Sequence, residues 1–391
     1  MSTTAAAAKD RARNTLDRER ERLVDVSHDI HAHPETAFQE HFAVERLADA
    51  LAGSPLAIET GAFDLPTAFA ARAGSGPLVV ALCAEYDALP GVGHACGHNI
   101  IAASSLGAAV ALAEVADEVG ITVVLLGTPA EEGGGGKVLM LDRGAFDDAH
   151  LAMMVHPWPN DRLEAQCLAV SHFDVHFEGK EAHASASPYE GINAGDAMTI
   201  SQVAIALLRQ QFRPGNQAHG VVLEGGQAPN IIPAQASGRF MCRARTVEDL
   251  EVLEPRIKRC FEAGALATGT GFSFETLSPV YTHMESDPDL LASYRANAEA
   301  LGRRFTADDA SEPLPTASTD MANVSLAVPS IHPLIGIESH GAVNHQPEFA
   351  AACATESADA ALFDGALALA WTAIDAAADS AVRERLLART A

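Results

Sequence analysis

Apolar and polar positions follow different rhythms along this chain, and the changes of rhythm divide it into parts. Residues 15–51 repeat apolar positions at helical spacing amid heavy charge, with a break at HAHPE, where Pro34 disfavours helical geometry at His33. From residue 78 uninterrupted apolar runs take over. Residues 78–84 predict a buried strand, 100–119 a helix, 121–127 a second strand, 137–143 a short helix and 151–156 a third strand. Apolar strands alternating with helices predict an α/β domain, a mostly parallel sheet with helices on both faces.

The rhythm changes at about Cys167. In SHFDVHFEG, Phe173, Val175 and Phe177 alternate with His172, Asp174, His176 and Glu178, the period of a half-exposed strand. A helix (194–211), a strand (221–224), an alternating strand (235–245), a helix capped by Thr246 (247–267) and a strand (272–277) follow. This is the ferredoxin-like β-α-β-β-α-β plan, and it reads as an insertion. The expected domains are 1–167 with 282–391, and 168–281. Helical segments return from Ser286, with one apolar strand at 330–337 and an Ala-rich amphipathic helix at the end. The simplest topology has this last part rejoin the first sheet.

Composition narrows the partners. A chain of 391 residues exceeds the roughly 250–300 beyond which one core splits. Lys and Arg total 26 against 52 Asp and Glu, a formal charge of −26 that would repel nucleic acid and anionic membrane. Neither a signal peptide nor a spanning segment is expected, which points to the cytoplasm. The six cysteines are scattered and read as reduced thiols; only Cys96, flanked by His and Gly, looks chemically placed.

The candidate chemistry lies at strand ends, where open α/β sheets place ligands. The 85–99 loop, EYDALPGVGHACGHN, follows the first strand. Cys96 and His98 could address adjacent zinc-like ions, or form a buried thiol beside a satisfied histidine. Glu131 and Glu132 follow the second strand. Adjacent carboxylates at a strand end point opposite ways, so one could bind metal while the other acts as general base; the alternative is a solvated acidic turn. His156 ends the third strand, as ligand or as packing residue. His345, in HQPEF, is the better ligand candidate of its loop, with His340 as its supporting neighbour. His183 (GKEAHAS) and Asn230 (GGQAPNIIP) read either as surface turns or as a lid supplying an imidazole donor to an oxyanion and an amide to substrate. HAHPE (His31, His33, Glu35) reads as structural or capping. GVGHACG lacks the third glycine of a dinucleotide fingerprint, and GGGGKV lacks the hydroxyl residue that a phosphate loop needs after its lysine, Lys137.

With these residues assembled, the chain resembles the family of metal-dependent amidohydrolases and peptidases that includes aminoacylases, bacterial carboxypeptidase G, indole-acetyl-amino-acid hydrolases and aminobenzoyl-glutamate hydrolases. HAHPETAFQE, AEYDALPGVGHACGHN, GTPAEEGGGGK, GKEAHASAS, APNIIPAQA, STDMAN and HQPEF occur in the family's order, nearly end to end. The likeness is to the branch with mammalian aminoacylase-like dipeptidases and aminobenzoyl-glutamate hydrolase subunits. It implies two divalent metal ions, zinc foremost with manganese, cobalt or nickel as alternatives, and Cys96 bridging them. His98 and His156 would complete one site, Glu132 and His345 the other. Glu131 would be general base and proton shuttle, and Asp87 would orient a ligand. His183 would stabilise the oxyanion from a lid that also forms a homodimer, and Asn230 would contact substrate. Glu85 stands where a ligand histidine is usual in the wider superfamily and Cys96 where a bridging aspartate is usual; Glu85 and His94 are expected to bind no metal. Arg239 or Arg243 could meet a substrate carboxylate. The implied activity is hydrolysis of N-acyl amino acids or small dipeptide-like amides. Cleavage of aminobenzoyl-glutamate or dipeptides, or a catalytically silent binding protein or subunit, are the alternatives.

Overall fold

The computed structural model describes residues 3–305 and 316–388. It begins with α1 (Thr3–Ala32), α2 (His41–Leu51), β1 (Ala57–Thr60), β2 (Phe69–Ala73), β3 (Leu78–Ala84), α3 (His98–Ala113), α4 (Ala116–Val119), β4 (Ile121–Gly127), α5 (Gly136–Asp142), β5 (Leu151–Met153), β6 (His156–Trp158) and β7 (Gln166–Cys167). Next come β8 (Ala169–Glu178), α6 (Ala194–Leu208), β9 (Gln217–Glu224), β10 (Gln235–Ala244), α7 (Val247–Thr268) and β11 (Gly271–Thr276). The chain closes with α8 (Pro288–Ala300), β12 (Thr316–Ala317), α9 (Met321–Ala327), β13 (Ser330–Ile331), β14 (Leu334–Gly336), α10 (Pro347–Ala352), α11 (Glu356–Ala378) and α12 (Ser380–Leu387). Two compact units result: Met1–Gln166 with Met284–Ala391, and Cys167–His283.

The first unit is built on a six-stranded sheet in the order β1-β2-β4-β3-β5-β13. Strands β4, β3, β5 and β13 run parallel, while β2 is antiparallel to β4 and β1 to β2. Side chains alternate across a pleat, and here both faces are apolar. Leu78, Val80, Leu82 and Ala84 of β3 join the core with α1, α3 and α11, whereas Val79, Ala81 and Cys83 join Met140, Phe146, Met321 and Val324 on the other side. That double burial is why these strands read as continuous apolar runs.

Several elements depart from the pattern reading. Helix α1 starts at Thr3, well before residue 15, because Ala5, Ala8, Ala12, Leu16, Leu23, Val26 and Ile30 form one buried stripe whose first half is alanine. Strands β1 and β2 carry no legible signal; β1 is exposed throughout. The apolar run 330–337 is two strands: β13 pairs with β5 and β14 with β6, broken at Pro333, which has no N–H to donate. Helix α11 is long and apolar enough to cross a membrane by length and composition alone, but it carries Asp364 and Asp375 and 78% of its most apolar window is buried inside the protein.

In the second unit, β11-β8-β10-β9 form an antiparallel sheet in the β-α-β-β-α-β order, and α6 and α7 pack with it. Its core centres on Phe173, Phe177, Phe240 and Phe261. Thr246 accepts a hydrogen bond from Asp249 N (3.3 Å) at the start of α7.

Candidate metal centre

Three loops of the first unit, together with the start of strand β6, carry the site. Strand β3 ends at Ala84 and the chain then makes an irregular excursion to Gly97, which adopts φ +71° at the start of α3. A Cβ at Gly97 would lie 2.4 Å from Pro157 Cγ, so only glycine lets the Cys96–His98 turn press against the segment carrying His156. After β4, Ala130 turns left-handed (φ 59°) and Glu131 and Glu132 follow in a turn. Gly136 closes that turn; a Cβ there would sit 1.8 Å from Pro129 O. The third loop brings His345 in, also left-handed (φ 74°), its N–H donating to Ala95 O at 2.9 Å.

These loops assemble two overlapping donor groups, Cys96 with His98 and His156, and Cys96 with Glu132 and His345, each with its ligand atoms within 4.8 Å of one another. A third, of Glu85, His98 and Glu131, meets the same criterion. Both histidines of the first group are held in one tautomer. His98 Nδ1 donates to Asp87 Oδ1 (3.0 Å) and His156 Nδ1 donates to Pro157 O (2.9 Å), so Nε2 of each ring is the atom turned toward the other donors. Burial alone would lower the His98 pKa, but the carboxylates beside it, Asp87 foremost, outweigh burial and raise it well above the ordinary imidazole range; the positive charge this favours is one that a bound cation would replace. The other oxygen of Asp87 accepts from Glu132 N (2.9 Å), tying two loops together. His345 Nε2 lies 3.7 Å from Glu132 Oε2 and is more open to solvent than the rest.

The donors fit divalent cations. His98 Nε2, Glu132 Oε1 and Glu85 Oε2 are buried without a hydrogen-bond partner, a costly state for polar atoms unless something positive satisfies them. Burial, then the charges of His332 and His98, pushes His156 down to about 3, so it stays neutral and ligand-competent. Burial, then the charges of Glu85, Glu132 and Asp320, pushes Glu131 well above the usual carboxylate range. Burial also raises the Cys96 thiol. A cation would reverse that preference, since thiolate is the ligating form.

The adjacent carboxylates do not diverge as a strand end would make them. Because they occupy a turn, both face one imidazole, Glu131 at 3.9 Å and Glu132 at 4.0 Å from His98 Nε2. His340 lies outside the donor groups, exposed and 3.8 Å from Glu338, which corrects its reading as a neighbour supporting His345. Glu35 accepts from Phe42 N and Ala43 N in the first turn of α2. His94 is buried outside the donor groups.

In the second unit, His183 Nδ1 accepts from Ser185 N and Ala186 N (3.3 and 3.2 Å), which places its proton on Nε2. Ala184 N donates to Asn230 O (3.0 Å), so the turns carrying His183 and Asn230 are stitched together, with both side chains exposed. Arg239 is not a candidate for a substrate carboxylate: it grips Asp174 through Nε and Nη2 at 2.8 and 2.9 Å, across paired positions of β8 and β10. Arg243, on the same strand, is half-buried.

Sequence reasoning misses three buried residues beside the centre. Lys137 Nζ lies 2.5 Å from Glu85 Oε1 and 2.6 Å from Asp320 Oδ1, with all three side chains fully buried. Asp320 belongs to STDMAN, a family motif that by itself assigns the residue no role. The His332 ring stands 5.5 Å from that of His156, edge-on, and nothing in its sequence setting marks it.

A model described as Peptidase family M20/M25/M40 matches residues 81–362. The chain is 38% identical over 381 residues to the Xaa-Arg dipeptidase of Mus musculus, covering 94% of this chain and 88% of the mouse protein. It is 32% identical over 278 residues to a p-aminobenzoyl-glutamate hydrolase subunit of Escherichia coli (strain K12), covering 66% and 58%. A solved dinuclear metal binding peptidase from Bacillus subtilis shares the fold, with a TM-score of 0.68 at 22% identity over 90% of this chain and 98% of that one. With a family match over more than half its length, the chain belongs to the peptidase family M20/M25/M40.

Proposed function

We propose that the protein hydrolyses the amide bond of dipeptides or N-acyl amino acids at two divalent cations, zinc foremost, held by Cys96 as the bridge, His98 and His156 on one side, and Glu132 and His345 on the other. The observation that carries this is the convergence of these donors, with Nε2 of His98 and Oε1 of Glu132 buried and unpartnered. Cleavage of a dipeptide is supported by the long match to a relative named Xaa-Arg dipeptidase. Cations bound there would polarise the scissile carbonyl and acidify an attacking water.

The chain's own groups supply the rest. Glu131 accepts a proton from the water on its carboxylate and returns it to the leaving nitrogen; its raised pKa suits a group that must hold that proton between the two transfers. Asp87 fixes the His98 tautomer. His183, with its proton on Nε2, donates to the developing oxyanion, and Asn230 binds substrate from the neighbouring turn. The second unit serves as lid and as the contact of a homodimer. Support for the dimer comes from β9, an edge strand with Val221 59% and Leu223 55% exposed, and from Val203 and Leu207 on α6, 55% and 70% exposed. All six cysteines are free, which suits the cytoplasm.

Glu131→Gln should retain both cations and lose about 10²–10⁴-fold in turnover on a dipeptide or N-acyl amino acid panel. Full activity would remove Glu131 from the mechanism. Wild-type protein that binds cations yet hydrolyses no amide in such a panel would instead favour a silent binding role.

A further inference from the structure

Glu85 is buried with its two oxygens in unlike circumstances. Oε1 is held at 2.5 Å by Lys137 Nζ, whose other partner, Asp320, is itself satisfied at both oxygens: Oδ1 lies 2.6 Å from the ammonium and Oδ2 accepts from Lys137 N at 2.8 Å. Oε2 has no partner, is buried, and lies 3.5 Å from His98 Nε2, which also has none. That separation is too long for a good hydrogen bond. His98 Nδ1 faces Asp87 Oδ1 at 3.0 Å, which leaves Nε2 as the ring atom toward Glu85, and Glu85, His98 and Glu131 place one ligand atom each within 4.8 Å of one another. Buried polar atoms this close with no hydrogen bond between them call for a positive centre there, and a bound cation can supply it in place of a proton. Donors each about 2.1 Å from a cation at a near-tetrahedral angle lie roughly 3.4 Å apart, close to the spacing observed here.

We propose that Glu85 is a direct oxygen donor to the cation bound at His98, with Lys137 and Asp320 as the clamp that aims it. The proposal rests on the metal-centre reading above and adds a carboxylate to it. Lys137 takes up one oxygen and, being tethered by Asp320 at both its side chain and its backbone N–H, fixes the carboxylate so that the other points at His98. A harder oxygen donor beside thiolate and imidazole widens the metals that this position accepts toward manganese and cobalt.

The test uses the full-length protein, stripped with a chelator and reloaded with Co²⁺. A crystal structure located by cobalt anomalous scattering should place Glu85 Oε2 about 2.0–2.2 Å from one cation. Competition titration against a chromophoric chelator should show Glu85→Gln weakening one of two cobalt sites at least about tenfold. A wild-type structure with both cations bound and Glu85 Oε2 beyond contact with either overturns the assignment and leaves the metal centre standing. Unchanged affinity at both sites in folded Glu85→Gln does the same. Wild-type protein that binds no cobalt overturns the centre and the assignment together.

Discussion

The two units of this chain solve opposite packing problems. The first buries charge: Glu85, Asp87, His98, Lys137 and Asp320 are almost wholly removed from solvent, in the loops that follow strands or in the first turn of a helix. The second buries rings: Phe173, Phe177, Phe240, Phe261, Phe272 and Phe274 stack and cross around one sheet face, while His183 and Asn230 stay at the surface. Buried charge is tolerated only where each group has a partner, and the atoms left without one mark where a ligand belongs. An apolar core asks for nothing beyond volume. Unpaired groups therefore locate a site in the first unit, whereas in the second only exposure and tautomer speak for function.

The contrast can be broken at either end. Lys137→Met removes the single cation between Glu85 and Asp320 and should cost ~3–5 kcal/mol of stability, because two carboxylates then lie buried and unpaired. A loss below about 1 kcal/mol in denaturant unfolding would show that the clamp is not ionic. Phe261→Ala should cost a similar ~3–4 kcal/mol by opening a cavity, but in the second unit. Both tryptophans, Trp158 and Trp371, belong to the first unit, so fluorescence follows that unit alone while circular dichroism follows both. In this variant the circular dichroism transition should precede the fluorescence transition; coincident transitions at a lowered midpoint would mean that the units unfold as one.

The smallest effect is a pH slope. Glu40 accepts from Phe38 N and Ala130 N, and burial raises its pKa from 4.5 to about 7. Its folded pKa exceeds its unfolded one, so the folded state binds more protons in that window, and stability falls as pH rises from 4.5 to about 7. The loss should be on the order of 2–3 kcal/mol. Glu40→Gln should flatten it, which thermal midpoints measured against pH would show; an unchanged slope would assign it to another group.

How much is legible in the sequence follows the same division. Strands β3 and β4 are readable because both faces are buried, which leaves uninterrupted apolar runs, and β8 because one face is, which leaves alternation. Strand β1 is not, since an edge strand exposed throughout carries no period, and β2 is not, because in FAARA alanine stands on its buried and its outer face alike. Cys96, His98, Glu132, His156 and His345 can be named because each sits beside a strand end or a Gly-flanked turn. Lys137 reads locally only as a phosphate-loop lysine without its hydroxyl neighbour, and His332 has no local signal at all; their roles come from Asp320 and His156, distant in sequence.

The amino-acid sequence by itself determined the alternation of buried strands and helices, the two-part organisation of rhythms and the residue types able to hold a cation, since these depend on local periodicity and on chemistry carried by single side chains. Only the tertiary structure decided that Glu131 and Glu132 face one imidazole rather than diverge, that Arg239 is spent on Asp174, and that Glu85 keeps one oxygen for His98 while Lys137 holds the other. Those outcomes depend on distances between residues far apart in the chain, which no local pattern encodes.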